Sequence, residues 1–460
     1  MALPDVQRDA RIEELRRERP VEAAREAGEI AERQRLQDYF KKAFALRGGT
    51  HLELAQLMLE RALKSVNSTG SIGLVLPRQC LVLAGWKKLR ENLFAEHSVM
   101  LVQARNAGGW IFEGVDARYA VVLLTARPRS DDPIQVAVVT SAAELRGISP
   151  ESMIRFSIDE LSSLSENLIV PWFDHPADRL VFDKMRDYPR LSAPGSWVTG
   201  TGDARWDFTR TGRDHGVVVT SESPGAWRVM MTRHLDPFSI RAVAAKQFVD
   251  DLSSLAAKAK GVVVDSQGVA AFDPDHPMVL YRYPSRSDDT RTLIASALPA
   301  AGFLYNAGYV HAVAHEQGNS AAVLLALLGV LNTNTEDWWA RRFVDRHVTT
   351  KVVNNLPLPA LGPDEIHGLA QRTAVLLRNS GYTLLAGGID VAEIANNSAF
   401  TGESHDLLRA GSEAIVARGY GLKPGDLEIV RSDFTDQGFP AAIFELTCEM
   451  LVAGTRVAAS

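Results

Sequence analysis

The sequence predicts an α/β chain: part of a doubly wound sheet, then a mixed α+β module, then a helical region. Three observations lead there. Between Arg47 and Arg90 a helical stretch, a Thr69-Gly70 break, the apolar run Ser71–Leu76, Pro77 and a second helix from about Gly85 follow in order. Three further apolar runs of strand length come next, His97–Ala104, Tyr119–Ala126 and Ile134–Thr140, divided by Arg127-Pro128 and Asp132-Pro133. From Pro363 the pattern is helical to the end.

The elements follow in chain order. Residues 5–45 are dense in Arg, Glu and Ala, and Pro20 splits them into two helices that read as a solvated arm. The next helix puts Leu52, Ala55, Leu59, Ala62 and Leu63 on one face. Ser71–Leu76 is apolar on both faces, the composition of a parallel strand buried on both sides. Pro77 stops the ladder at the sheet's C-terminal edge, where open α/β sheets bind ligands. Ile134–Thr140 is expected to close the sheet, giving half of a Rossmann-type domain.

Residues 141–175 read as a linker with a short helix and the extended run Leu168–Trp172. From 176 to 362 the texture changes to short strands, Gly and Pro, with aromatics beside arginines: Trp206, Trp227, Tyr281, Arg282, Tyr283, Arg286. Ser320–Leu331 is apolar all round and reads as a buried core helix. Beyond Pro363, Leu369, Ala370, Thr373, Leu376 and Leu377 share one helix face. The expected domains are an arm (1–47), a sheet domain (48–142), a linker (143–175), the mixed module (176–362) and a helical region (363–460).

A chain of 460 residues is long enough for roughly two to four domains. A net charge of −6 does not advertise a nucleic-acid partner, although a local basic groove is compatible with it. Cys80 and Cys448 alone form no metal motif or disulfide framework, which suits a reducing cytoplasm. The opening MALPDVQRDARIEEL is charged, unlike a secretory signal, and no run approaches ~18 apolar residues. The expectation is a cytoplasmic protein without a membrane span. His234 and His315 have no carboxylate or cysteine at a metal-binding spacing, and no metal is expected.

The order of several segments resembles the C-terminal half of large DNA N6-adenine methyltransferases, those of type IIG restriction–modification fusions and of phage-defence systems such as BREX and DISARM. The segments are LELAQLMLERALKSVNSTG, GLVLP and KKLRENLF, then GWIFEGVDARYAVVLL with Arg118 at a recurrent arginine. Asp174–Pro189 resembles the start of the target-recognition domain, and RTLIASALP (291–299) a threonine-leucine-isoleucine segment inside it. Trp338–Leu361 is similar to a strand leaving that domain toward a Leu-Pro-Leu-Pro exit. RGYGLKPGDLEIVRSDFT, within 412–435, resembles the terminal helices. Two family motifs are missing: the glycine-rich cofactor loop and the Asn-Pro-Pro-aromatic motif that holds the target amine. Gly200-Thr201-Gly202 lies far from any strand-to-helix turn and reads as a loop glycine pair. The chain is therefore expected to begin just downstream of the aromatic motif.

Adenine methylation needs a flipped, stacked base with the cofactor's methyl in line. The resemblance implies that this half supplies DNA recognition and part of the sheet. A partner polypeptide would then carry the N-terminal half and most of the S-adenosylmethionine site. An open edge beside Ser71–Leu76 would need covering. Arg78 and Gln79 line the base pocket or belong to a solvated loop; Arg118 binds a phosphate or pairs with Glu113 or Asp116. Arg282, Arg286, Arg291, Lys351, Asn354 and Asn355 are the polar candidates for double-stranded DNA, through base edges, phosphates or structure alone. No catalytic residue is assigned. Two other readings stay open: a non-catalytic DNA-binding specificity subunit, and a decayed fragment with exposed apolar sheet. No nuclease cluster is found.

Overall fold

The computed structural model describes residues 5–48, 53–116, 119–193, 347–385 and 388–458 without interruption. Between 194 and 346 it describes 197–203, 218–219, 227–241, 248–249, 263–264, 270–271, 278–283, 285–299, 303–305, 308–312 and 320–344. The chain divides into two compact units, 1–170 and 171–460. Among the described residues no helix is long and apolar enough to cross a membrane.

The first unit opens with the two arm helices, α1 (Asp5–Glu18) and α2 (Pro20–Ala43), with Pro20 at the first helical position. Proline tolerates that place because its missing N–H would be unpaired there anyway. α2 buries none of its residues, and Arg16 ties the two helices through Glu26 at 3.0 Å. Helix α3 (Leu54–Ser65) buries Leu57, Leu59 and Glu60. The Glu60 carboxylate accepts from Ala45 N and Leu46 N, both at 2.9 Å, and from Lys64 Nζ at 2.6 Å, which accounts for a buried acid. A Cβ on Gly48 would meet the carbonyl oxygen of Gly85 at 2.4 Å, so this crossing requires glycine.

The mixed sheet of this unit has five strands: β1 (Ile72–Pro77), β2 (His97–Arg105), β3 (Ala120–Pro128), β4 (Ile134–Val139) and β5 (Ile154–Phe156), in the order β1-β3-β2-β4-β5. Only β2 and β4 run parallel. This corrects the reading of Ser71–Leu76 as a parallel strand buried on both faces. β3 inserts antiparallel between β1 and β2, leaving β1 at the edge with Val75 56% exposed. An apolar run carries no record of which neighbour it will pair with. The strand buried on both sides is β2, with Val99, Leu101, Val102, Gln103 and Ala104 all inside. Ile134–Val139 does not close the sheet either, because β5, drawn from the expected linker, adds beyond it. Short helices α4 (Gln79–Val82), α5 (Lys87–Glu96), α6 (Ala142–Arg146) and α7 (Ile158–Leu164) complete the unit; Ser141 and Ser157 cap the last two.

The second unit begins with α8 (Asp178–Met185) and holds a four-stranded sheet in the order Ala295–Ala297, Met278–Tyr281, Gly308–Ala312, Val198–Asp203. Gly200-Thr201-Gly202 lies in the last of these strands, with Thr201 opposite Val310, and so is not a loop pair. Among the described residues the helices that follow are α9 (Ser320–Leu331), α10 (Asn334–Phe343), α11 (Thr350–Asn354), α12 (Pro363–Asn379), α13 (Val391–Asn396), α14 (His405–Gly419), α15 (Pro424–Ser432) and α16 (Ala441–Ala458). α9 has the expected bounds and is buried; Gly329 lets α12 approach so closely that a Cβ would lie 2.8 Å from Thr373 Oγ1. Leu369, Ala370, Thr373, Leu376 and Leu377 all face this core.

Trp338, expected in a strand, is helical. Thr333 caps α10 by accepting from Glu336 N at 3.3 Å, and Glu336 and Asp337 place acids in the first turn, both helix-start signals. Every residue of α10 is buried. Its charges are paired: Asp337 with Arg291 (2.8 Å) and Arg341 (3.0 Å), and Arg342 with Asp178 (3.1 Å) and Asp433. Buried charges persist only with such partners.

Candidate functional site

Two places gather the candidate residues, one in each unit. In the first unit, the C-terminal ends of β1 and β2 and the N-terminal end of β3 lie side by side. Arg78 follows β1 directly, and its amide donates to Ala120 O at 3.1 Å. Its side chain is only 3% exposed, with Nε 3.4 Å from Gln103 Oε1 on β2. Gln79 is half-buried at the start of α4. The solvated-loop reading therefore fails for Arg78, whose guanidinium sits inside the sheet's end.

Arg90, from the KKLR run, fixes the turn from below. It donates to Cys80 O at 2.6 Å, to Leu83 O at 2.9 Å and twice to Asn167 O. Burial lowers its pKa to about 10 and raises that of the Cys80 thiol to about 12, so Cys80 is an inert core thiol.

Beside Arg78 stands a loop that the sequence did not reveal. Asn106, buried at the end of β2, donates from Nδ2 to Phe112 O (3.1 Å) and Val115 O (3.0 Å). Its Oδ1 accepts from Ile111 N (3.1 Å) and Phe112 N (3.0 Å), and its own amide reaches Tyr119 O at 3.0 Å. Trp110 Nε1 donates to Arg105 O at 2.8 Å. Gly108, Gly109 and Gly114 take positive φ of 68°, 75° and 75°, as the tight winding requires. The result is a fixed loop holding Phe112, Val115 and Tyr119 out to solvent. The segment GWIFEGV is thus a loop rather than one of a strand pair. Arg118 lies outside the described residues.

In the second unit the six polar candidates divide. Arg291 is a correction: it is 8% exposed, and it bridges Asp337 to Asn334 Oδ1 (3.1 Å), Asn332 O (2.8 Å) and Thr333 O (3.1 Å). It fastens the α9–α10 turn from the inside and is not available to DNA. Arg282 is half-buried just past the strand Met278–Tyr281, its amide bonded to Ile294 O at 2.9 Å. The adjoining Tyr283 stacks on His347 with centroids 4.9 Å apart, and Val348 N donates to Tyr283 O. That contact carries the chain to Thr349, which caps α11, where Lys351 is exposed. Asn354 is half-buried, its Oδ1 accepting from Thr201 Oγ1 at 2.6 Å; the Asn355 carbonyl accepts from Trp339 Nε1 at 3.1 Å. Arg286 sits apart in a turn closed by Asp289, which accepts its amide at 3.0 Å. His234 is buried with Nδ1 accepting from Met231 N, and burial first, then Arg233 and Arg241, lowers its pKa. His315, Trp206 and the side chain of Trp227 lie outside the description. Among the described residues no three His, Cys, Asp or Glu side chains gather as a metal site.

No family model matches the chain, and no curated protein matches it. Among the solved structures similar to it are restriction–modification enzymes. The type IIL enzyme MmeI in complex with DNA shows 12% identity and a TM-score of 0.43, over 88% of this chain and 52% of that one. A nuclease-deletion mutant of the type ISP enzyme LlaGI with a DNA substrate mimic shows 13% and 0.40, over 70% and 37%. The type IIG endonuclease BpuSI shows 14% and 0.32, over 84% and 49%. The chain thus spans about half or less of the length of these structures.

Proposed function

We propose that this chain supplies DNA target recognition and part of the catalytic fold to a site-specific DNA adenine methyltransferase of a restriction–modification or phage-defence system. It works with a second polypeptide that brings the cofactor loop and the Asn-Pro-Pro-aromatic motif. The observation carrying this reading is the free flank of β1. Among the described residues β1 has β3 as its one neighbour, and Val75, Leu54 and Met58 stay exposed on β1 and the helix preceding it. Open edges of this kind invite another strand. At the end of the same strand, the Asn106-held loop offers exposed aromatic rings, on which a flipped base would stack, while Arg78 lies buried within the sheet's end.

The described residues do not by themselves fit S-adenosylmethionine. The turn after β1 is Pro77-Arg78-Gln79, with no glycine cradle, and its Arg78 amide is already bonded to Ala120. We assign the cofactor to the partner and derive no step through it. On the duplex, Lys351 and Arg286 hold phosphates, while Arg282 and Asn354 are the candidates for base edges.

The test is methyl transfer from radiolabelled S-adenosylmethionine to duplex DNA, by the chain alone and by the chain co-purified from its host. Activity only in the second sample, with a partner carrying Asn-Pro-Pro-aromatic, supports the proposal. Activity of the isolated chain overturns it. DNA binding with no methyl transfer in either sample selects the non-catalytic specificity subunit.

A further inference from the structure

We propose that Glu336 is a carboxylic acid in the folded protein: it donates its proton to Tyr420, Tyr420 donates to the carbonyl of Pro357, and this one buried proton fastens the extended segment that follows α11.

Proton counting carries the argument. Tyr420 Oη is hydrogen-bonded to Glu336 Oε1 and also to Pro357 O at 2.8 Å. A tyrosine hydroxyl has one proton, and a proline carbonyl can only accept. With Tyr420 donating to Pro357, the proton in the other bond comes from Glu336. The chain Glu336 → Tyr420 → Pro357 satisfies both contacts with a proton of its own in each, where an ionised Glu336 would leave one hydroxyl proton shared between two acceptors.

The surroundings agree. Glu336 is 0% exposed, and among the described residues nothing hydrogen-bonds its Oε2. A bare carbonyl oxygen of a neutral acid is far cheaper to bury than half of a carboxylate. Thr333-x-x-Glu336 has the spacing of a capping box, in which the glutamate would turn back to the Thr333 amide and stay charged at the helix's positive end. Only half of that box forms. The place for an anion at the start of α10 is taken by Glu413 from α14, which accepts from Asn334 N (2.6 Å), Thr335 N (2.9 Å) and Thr335 Oγ1 (2.6 Å). A second negative charge beside it would be repelled.

The other groups facing Glu336 are few. Tyr188 meets the Tyr420 ring edge-on at 5.0 Å. Arg190 is the nearby cation, but it lies over the Trp339 ring at 4.9 Å and donates to Arg186 O at 2.7 Å, with no ion pair to Glu336 among the described residues. Burial pushes the Glu336 carboxyl up to about 8, Glu413 adding in the same direction, while donation from Tyr420 to the charged form and the Arg190 charge oppose.

Pro357 is well placed to transmit this. It bridges to Arg190, with Leu191 N donating to Leu356 O and Leu358 N to Pro189 O, both at 2.8 Å. α11, with Lys351 and Asn354, ends just before it. Because the folded pKa lies above the usual glutamate value of about 4.3, the stability that the proton contributes is whole below that value and is lost as pH rises toward about 8.

The experiment uses the full chain with 13C-labelled glutamate side-chain carboxyls, followed by infrared or NMR spectroscopy. The expected result is a protonated-carboxyl signal near neutral pH that titrates in mildly alkaline solution and is missing from Glu336→Gln. No such signal in the wild type, or its persistence in Glu336→Gln, overturns the proposal. Tyr420→Phe supplies an independent variant: loss of the acceptor shifts the signal, and an unmoved signal counts against the proposal. In thermal melts, the wild-type midpoint falls between mildly acidic and mildly alkaline pH, while that of Glu336→Gln falls less; equal slopes would also sink the idea.

Discussion

Arg291 Nε lies 2.8 Å from Asp337 Oδ2, and neither side chain reaches solvent to any useful extent. Asp337 also accepts from Arg341 Nε at 3.0 Å and from the Thr292 amide, so this carboxylate joins three segments of the second unit. Removing it leaves two buried guanidiniums without their counter-charge. Asp337→Ala should cost about 3–5 kcal/mol of unfolding free energy, read from chemical denaturation. Arg291→Ala should likewise lower stability, while the protein that remains folded binds DNA as before.

Lys351 is the opposite case. It is exposed, and among the described residues its side chain joins no buried network. Lys351→Ala should leave the melting temperature unchanged, weaken duplex binding similarly for all sequences, and lower the slope of log affinity against log salt by about 1. Titrations at several salt concentrations decide this; an unchanged slope removes Lys351 from the interface.

Asn106 separates folding from function in the first unit. Asn106→Ala deletes four side-chain bonds at a buried position and strands the amides of Ile111 and Phe112, so a loss of about 2–3 kcal/mol is expected. Phe112→Ala removes an exposed ring and should leave stability intact, yet abolish methyl transfer by the co-purified complex.

Val75 tests the free flank of β1. Val75→Lys puts a charge on an exposed edge position, the device by which natural edge strands refuse partners. The isolated chain should fold as before, and pull-down from the host should lose the companion polypeptide.

The helices were legible because their signals are local. Pro20 divides the arm, and Ser320–Leu331 is apolar around its whole circumference, so its bounds follow from composition alone. Strands β2, β3 and β4 were readable within a residue or two for the same reason. Pairing was not legible: the insertion of β3 between β1 and β2 depends on contacts far apart in sequence. The strand expected at Trp338 came from resemblance alone, whereas the local signals, Thr333 with Glu336 and Asp337 after it, start a helix. At the candidate site, the place of Arg78 at the end of β1 was readable from Pro77, but its burial was not. The Asn106 loop was not, since side-chain bonds to backbone carbonyls leave no period in a sequence.

The strand order also sets a timetable for synthesis. Among the described residues β1 pairs with β3 alone, and its partner residues Val121–Ala126 follow it by about forty positions or more. At ribosomal rates of ~5–20 residues per second, β1 waits roughly two to nine seconds for its neighbour to be made. Throughout that interval both of its flanks are bare, so a strand from another polypeptide can compete for either. The first moments after translation are therefore when assembly on this edge, or aggregation through it, is decided.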